Sequence, residues 1–233
     1  EMGIYQRCLE TFREEPVIET SSAGYGCVNC HTFRSQDPDM MLFHMRQTHA
    51  GTMLLREGRI ERLNTATDST ISSTVYPSWH PSGRYIAFSV NATKLITLPD
   101  ESNRVEVFDS ASDVVVYDTE RHELYSVPEL MRGDRFETFP SFSPAGDKLY
   151  FCTADSVEMP ARYKEARYSL CSIGFDAASG RLGRDVDTLC NARTTGRSVS
   201  FPRVSPDGAF MLYALSDYGT FSIWHRDADL RMI

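Results

Sequence analysis

The chain has 233 residues, 41% of them hydrophobic and 24% charged, so it can bury a core, and a disordered or fibrous protein is excluded. Its formal net charge is −8 and its basic residues are scattered, which excludes the basic stripe of a protein that binds duplex DNA. No apolar run approaches the ~20 residues needed to cross a bilayer, so no membrane span is predicted.

The beginning of the chain has a helical arrangement of apolar side chains. The residues that share one helical face are Ile4, Cys8, Leu9 and Phe12. Pro16 follows them, so the pattern predicts a short amphipathic helix over residues 1–14. Asp37 and Pro38 are typical of a second helix start, with an N-cap followed by proline. The N-terminal segment, residues 1–51, is therefore predicted to be helical or irregular.

The segment Cys27-Val28-Asn29-Cys30-His31 is a Cys-x-x-Cys-His motif, and it resembles the haem-attachment signature of cytochromes c. Two thiols at this spacing can each form a thioether with one vinyl group of a c-type haem. The resemblance implies that Cys27 and Cys30 hold the haem and that His31 is the proximal iron ligand. The candidate distal ligands downstream are Met45, His44 and His49.

Two other interpretations of the same cysteines stay open. Two Cys and two His residues at this spacing fit a structural zinc site formed by Cys27, Cys30, His44 and His49. A disulfide between Cys27 and Cys30 is the other alternative, and it would persist in an exported protein.

A sequence pattern occurs three times in the second part of the chain. The copies are Tyr76 to Gly83 (YPSWHPSG), Phe139 to Gly146 (FPSFSPAG) and Phe201 to Gly208 (FPRVSPDG). Their second prolines are 63 and 62 residues apart. Proline presets φ and glycine accepts a positive φ, so each copy predicts a tight turn between two strands.

Further strands are predicted around these hairpins. Third strands are expected at residues 113–118, 168–173 and 220–225, and fourth strands at 122–127 and 186–189. Residues 52–64 predict one more hairpin, which would be half of a preceding blade. Residues 91–113 have no clear period and predict a loop on one rim.

The repeated unit resembles that of bacterial TolB-like β-propellers over about residues 73–233. The resemblance implies an all-β fold of propeller blades, three clear and one partial, after the short α-helical or irregular segment. Domains are therefore predicted at residues 1–51 and 52–233. Closed propellers usually have ~4–8 blades. Either the ring therefore continues outside this chain, which we favour, or residues 24–51 supply the missing strands in irregular form.

The predicted function combines the motif with the fold. The TolB-like resemblance implies a periplasmic or cell-envelope location, where the chain would be a haem c protein for electron transfer or scaffolding. Its propeller would dock a protein partner, and no nucleic acid is expected. The alternative is a non-redox protein-interaction module with the zinc site or the disulfide. No nucleophile elbow, P-loop or zinc-protease motif is present, so no enzyme is predicted. The sequence is compatible with a lipid anchor upstream of residue 1.

Overall fold

A computed structural model of the chain describes residues 3–21, 24, 26–68, 70–99 and 105–233. The chain divides into two compact units, residues 1–66 and 67–233. Nearly all regular structure is β-strand. The short helices are α1 (Ala192–Thr195) and the 3-10 turns Gln47–His49, Pro128–Leu130, Tyr163–Glu165 and Ser222–Trp224. Within the described ranges, no helix is long and apolar enough to span a membrane.

The first unit contains a two-stranded and a four-stranded antiparallel sheet. The two-stranded sheet pairs β1 (Gly3–Arg7) with β2 (Glu14–Glu19). The four-stranded sheet has the order β3 (Val28–Arg34), β4 (Asp37–Met45), β5 (Gly51–Arg56) and β6 (Arg59–Leu63). The domain limit expected at residue 51 falls inside this unit, immediately before β5, because β5 and β6 complete the sheet that β3 and β4 begin.

The helix predicted over residues 1–14 is wrong for the described part, since Gly3–Arg7 is a strand; Glu1 and Met2 lie outside the described residues. Ile4 pairs with Ile18 across the hairpin, and both pack against buried methionines of the next sheet. The rest of the supposed helical face is solvent-exposed, with Leu9 84% and Phe12 71% accessible. Pairing with β2 therefore overrides a helical pattern of which only Ile4 is even partly buried.

The helix start predicted at Asp37 and Pro38 is also wrong, because both belong to strand β4. Ser35 and Gln36 have φ values of 47° and 65° and make a two-residue turn between β3 and β4. Two positive φ values match the twist of a tight hairpin. The apolar run 41–45 is buried throughout because β4 lies between β3 and β5.

The second unit contains three antiparallel sheets in which sequential strands are neighbours. The first is β7 (Thr74–Trp79), β8 (Tyr85–Thr97), β9 (Val105–Asp118) and β10 (Glu123–Tyr125). The second is β11 (Arg135–Phe142), β12 (Lys148–Asp155), β13 (Ser169–Asp176) and β14 (Arg181–Cys190). The third is β15 (Ser198–Val204), β16 (Met211–Ser216) and β17 (Asp229–Met232). Such meanders are propeller blades, as the repeats predict.

One predicted strand and one predicted loop of the second unit need correction. Residues 220–225 do not form the third strand of the last sheet, because Ser222–Trp224 is a 3-10 turn and β17 takes that place. The supposed rim loop at residues 91–113 is mostly strand, since β8 runs to Thr97 and β9 begins at Val105. Residues 100–104 of that segment lie outside the described residues.

Each first strand of the second unit has a β-bulge at the aromatic-proline pair. Tyr76, Phe139 and Phe201 have φ values of 49°, 52° and 53°, in the left-handed region. The register skips there, so that the aromatic residue and its proline together oppose one residue of the next strand. The three rings pack together, with centroids 4.6 Å apart for Tyr76–Phe139 and 4.3 Å apart for Phe139–Phe201.

The predicted Pro-x-Gly turns are equivalent in all three sheets. Gly83, Gly146 and Gly208 have φ values of 76°, 76° and 72°. Each glycine N–H donates to the carbonyl three residues earlier at 2.9 Å. In the first turn, buried His80 accepts a hydrogen bond from the Ser82 N–H at Nδ1, and its Nε2 donates to the Gly146 carbonyl at 3.0 Å. A side chain at Gly146 would collide with this imidazole, so His80 joins two successive turns.

A buried hydrogen-bonded contact joins the first and last sheets of the second unit. Glu106 on β9 accepts a hydrogen bond from His225 Nε2 at 2.9 Å and one from the Tyr218 hydroxyl at 3.2 Å. The side chains of Glu106 and His225 are only 3% and 1% exposed. Long strand β9 is thereby fixed to the segment that follows β16.

We expect Phe139→Ala to lower the free energy of unfolding of the second unit by about 3–5 kcal/mol, because the ring is buried between two other aromatic rings. Phe210→Ala is the matched control, since Phe210 is 39% exposed, and its cost should be about 1 kcal/mol or less. Urea denaturation followed by circular dichroism measures both. Equal losses in the two variants would contradict the role given to the ring cluster.

Candidate functional site

The Cys-x-x-Cys-His motif lies at the start of the first four-stranded sheet. Cys27 directly precedes β3, whereas Cys30 and His31 belong to it. Strand β4 is the neighbour of β3 and provides the partners of its first two residues, with Met45 opposite Val28 and His44 opposite Asn29. The Cys27 carbonyl accepts a hydrogen bond from the Arg46 N–H at 2.9 Å. The motif is therefore held by β pairing and does not lie on a helix.

Cys30 and His31 occupy the bulge at which the other sheets place the aromatic residue and proline. Cys30 has a φ of 53°, and the register skips between Asn29 and Thr32 as it does in the later repeats. The sheet is thus a fourth copy of the repeat. The aromatic-proline pattern does not reveal it in the sequence, because Cys-His replaces the aromatic residue and the proline. Thr32 and Phe33 still indicate the repeat in the sequence, because the second repeat has Ser141 and Phe142 at the same two positions after the bulge.

The reactive groups of the motif are accessible. Cys27 and Cys30 are both half-buried, and His31 is exposed. All six cysteines are among the described residues, and none of them forms a disulfide, so the predicted Cys27–Cys30 disulfide is not formed. The His31 ring contacts Phe33 edge-on, with centroids 5.9 Å apart. The imidazole is therefore solvent-accessible, and the two thiols are partly so.

The candidate distal ligands differ in their surroundings. His44 is 5% exposed, and its Nδ1 makes a 3.0 Å hydrogen bond with the Thr52 hydroxyl. Burial, with a smaller effect of the Arg46 charge, lowers the pKa of His44 to about 4. Met45 is 7% exposed and packs in the apolar core of this unit. His49 is exposed on the 3-10 turn, so it is the accessible member of the three.

The zinc site expected from Cys27, Cys30, His44 and His49 is not formed. No group of three or more His, Cys, Asp or Glu side chains among the described residues could hold a metal ion. His44 is buried against Thr52, whereas His49 is exposed. The spacing along the chain fits a zinc site, but His44 lies on buried strand β4 and His49 on the exposed 3-10 turn.

The sequence has no match among protein-family models and none among curated proteins. Solved structures are similar. A putative TolB from Agrobacterium tumefaciens has 14% identity and a TM-score of 0.57, covering 88% of this chain and 60% of its own. An oligogalacturonate lyase from Vibrio parahaemolyticus has 13% identity and a TM-score of 0.57, covering 91% and 52%. Dipeptidyl peptidase 4 of Porphyromonas gingivalis has 15% identity and a TM-score of 0.54, covering 96% and 35%.

The fold is that of a TolB-like β-propeller. These similarities support the architecture alone, because the identities are very low. The chain spans 60% and 52% of the length of the first two structures it resembles.

We expect Cys27 and Cys30 to react with iodoacetamide in the folded protein much faster than Cys152, which is fully buried. Exposed Cys8 is the positive control, and urea should bring all four to similar rates. Peptide mass spectrometry after timed quenching measures the rates. Protection of Cys27 and Cys30 equal to that of Cys152 would contradict the accessibility described above.

We expect the protein to lose stability as the pH falls from 6.5 to about 4, because folding keeps His44 neutral while the unfolded chain binds a proton. The stabilisation due to neutral His44 is fully present above the pKa that His44 has in the unfolded chain, and it is on the order of a few kcal/mol. His44→Asn should remove this part of the pH dependence, whereas His49→Asn, at an exposed position, should retain it. Urea denaturation at several pH values measures the effect. Identical pH profiles for the wild type and His44→Asn would contradict it.

Proposed function

We propose that the chain is a cell-envelope β-propeller that carries a covalently attached c-type haem on its first four-stranded sheet. Cys27 and Cys30 would hold the group through thioethers, and His31 would bind the iron. The observation that supports the proposal is that Cys27 and Cys30 lie half-buried beside exposed His31, with no disulfide among the described residues.

The repeat strengthens this interpretation. The bulge of a blade in this chain normally holds an aromatic residue and proline, and Cys30 and His31 replace them without changing the backbone. Neither residue is therefore explained by the requirements of the blade. The sheet uses only the backbone carbonyl of Cys27, which accepts the Arg46 N–H, so pairing does not require a thiol at this position.

The chain's own residues would perform defined tasks. The haem, when bound, supplies one-electron chemistry at its iron. The β pairing of β3 with β4 fixes the backbone that bears His31, and the bulge re-aims the side chains beside it. His49 is the distal candidate that the fold leaves accessible, because His44 and Met45 are buried in the blade.

The remainder of the proposal concerns location and partners. An electron carrier needs a protein to exchange electrons with, so we assign docking of an envelope protein to the propeller. Haem attachment of this kind and the similarity to a TolB structure both favour the envelope. The proposal assigns no catalytic step to the propeller.

The full chain should acquire haem when it is exported in a bacterial host that expresses haem-attachment machinery. We expect a Soret band, and a mass increment of one haem that survives denaturation. Cys27→Ala combined with Cys30→Ala should abolish both, because each thiol forms one thioether. Cys8→Ala is the matched control, since Cys8 is exposed and lies outside the motif.

Circular dichroism keeps the experiment interpretable by showing that the double variant is folded. His31→Ala should retain the covalent mass increment and change the Soret band, because it removes the ligand but neither thioether. A colourless wild-type protein with unmodified mass would overturn the haem proposal. The alternative, a non-redox protein-interaction module, would then take its place.

A further inference from the structure

A small pocket lies within the second unit, where β9 meets the segment that precedes β13 and the segment that follows β16. Strand β9 provides Glu106 and Asp109 to its wall, and the other two segments provide Tyr168 and Thr220. The space open to the centre of a water-sized body is about 10 Å³, so the pocket accommodates one such body.

The charged groups of this wall all have the same sign. Glu106 and Asp109 are 2% and 3% exposed, and the described wall contains no arginine, lysine or histidine. Glu106 is already bound by His225 and Tyr218. Asp109 is therefore the carboxylate of the wall that can take a further partner.

The Asp109 carboxylate has only neutral donors in the described part of the chain. It accepts one hydrogen bond from the Asn91 amide and one from the Thr93 hydroxyl, both at 2.7 Å. Burial raises the pKa of Asp109 to about 6, and the two hydrogen bonds oppose that rise, so the carboxylate is ionised at neutral pH. A buried negative charge is costly unless a positive charge lies beside it.

Two hydroxyl groups on the same wall are buried without a hydrogen bond. Tyr168 and Thr220 are 1% and 3% exposed, and neither hydroxyl oxygen has a hydrogen-bond partner among the described residues. Burial raises the pKa of Tyr168, with a smaller effect of Asp109 in the same direction and one of Thr220 in the opposite direction. The three groups therefore lie near one another, although the two hydroxyls do not reach hydrogen-bond geometry. Buried polar groups in native proteins are nearly always satisfied, so these hydroxyls point to an occupant between them.

The backbone on two sides of the pocket is fixed before anything binds. The Ser198 hydroxyl accepts the Tyr168 N–H at 2.9 Å and donates to the Gly219 carbonyl at 2.6 Å. The Gly219 N–H in turn donates to the Ala166 carbonyl at 2.8 Å. Tyr168 and Thr220 are thus attached to segments that bind each other, and the site is preformed.

We propose that this pocket binds one dehydrated metal cation of about the size of a water molecule, Na⁺ or Ca²⁺, through the Asp109 carboxylate and the hydroxyl oxygens of Tyr168 and Thr220. Hard cations of this kind prefer oxygen ligands, whereas Mg²⁺ dehydrates reluctantly and would need room for its waters. A water molecule would fit the same space, but it would leave the charge of Asp109 without compensation. Unlike the zinc site excluded above, this site needs neither a thiolate nor an imidazole.

Thermal unfolding of the full chain in three salts tests the cation. The protein is dialysed against a chelator in choline chloride and is then melted in choline chloride, sodium chloride or calcium chloride at equal ionic strength, with circular dichroism as the signal. We expect the cation that binds to raise the melting temperature by about 2–4 °C or more, because it binds the folded chain only. A rise in sodium chloride assigns the site to Na⁺, and a rise in calcium chloride alone assigns it to Ca²⁺. Equal melting temperatures in the three salts would leave water as the occupant and overturn the proposal.

Variants connect the shift to the pocket. Asp109→Asn should abolish the cation-dependent shift, and Tyr168→Phe and Thr220→Val should each reduce it by roughly half or more, because each removes one ligand oxygen. Tyr85→Phe is the matched control, since Tyr85 is also 1% exposed and its hydroxyl donates to the Ala177 carbonyl outside the pocket. It should retain the full shift.

If Asp109→Asn is not folded, the nearly isosteric variants Tyr168→Phe and Thr220→Val decide. A full shift in folded Asp109→Asn, or in both of the other pocket variants, would overturn the proposal.

Discussion

The left-handed backbone at the bulge of each blade's first strand is the constraint on which the rest of the molecule depends. A non-glycine residue with positive φ costs about 1–3 kcal/mol and persists only where its surroundings impose it. At Tyr76, Phe139 and Phe201 the surroundings include the other two rings, which pack against one another. The proline that follows has no N–H to leave unpaired where the ladder is interrupted.

The first unit shows the same bulge without the ring cluster. Cys30 has the same φ as its equivalents, and the ladder on both sides of it imposes the skip in register. A thiol and an imidazole consequently occupy the two positions that hold an aromatic ring and a proline in the other sheets. This is why the motif is accessible in the folded chain, and why its chemistry can be separated from its contribution to the sheet.

The repeated turns and first hairpins could be predicted from sequence because they depend on proline and glycine within a few residues. Gly146 needs a positive φ and leaves no room for a side chain beside His80, so local chemistry specifies it. The helices predicted near the N-terminus are wrong because strand pairing is non-local: Ile4 is partly covered by Ile18 opposite it and by methionines of the next sheet. Likewise, the cysteine motif could be recognised, but only Thr32 and Phe33 pointed to its place on a bulge, since neither the aromatic residue nor the proline is present.

The contact of Glu106 with His225 and Tyr218 has a consequence for the order in which the second unit assembles. The two donors lie 119 and 112 residues beyond the carboxylate, with the whole of the middle sheet between them. Closing so large a loop carries an entropic cost that local hairpins avoid, and such contacts slow folding. Each meander can form early from residues that are near one another in the chain, whereas Glu106 can form these two hydrogen bonds only after the last sheet has folded. The contact between the Glu106 carboxylate and the His225 imidazole therefore stabilises the second unit only after every intervening sheet has formed.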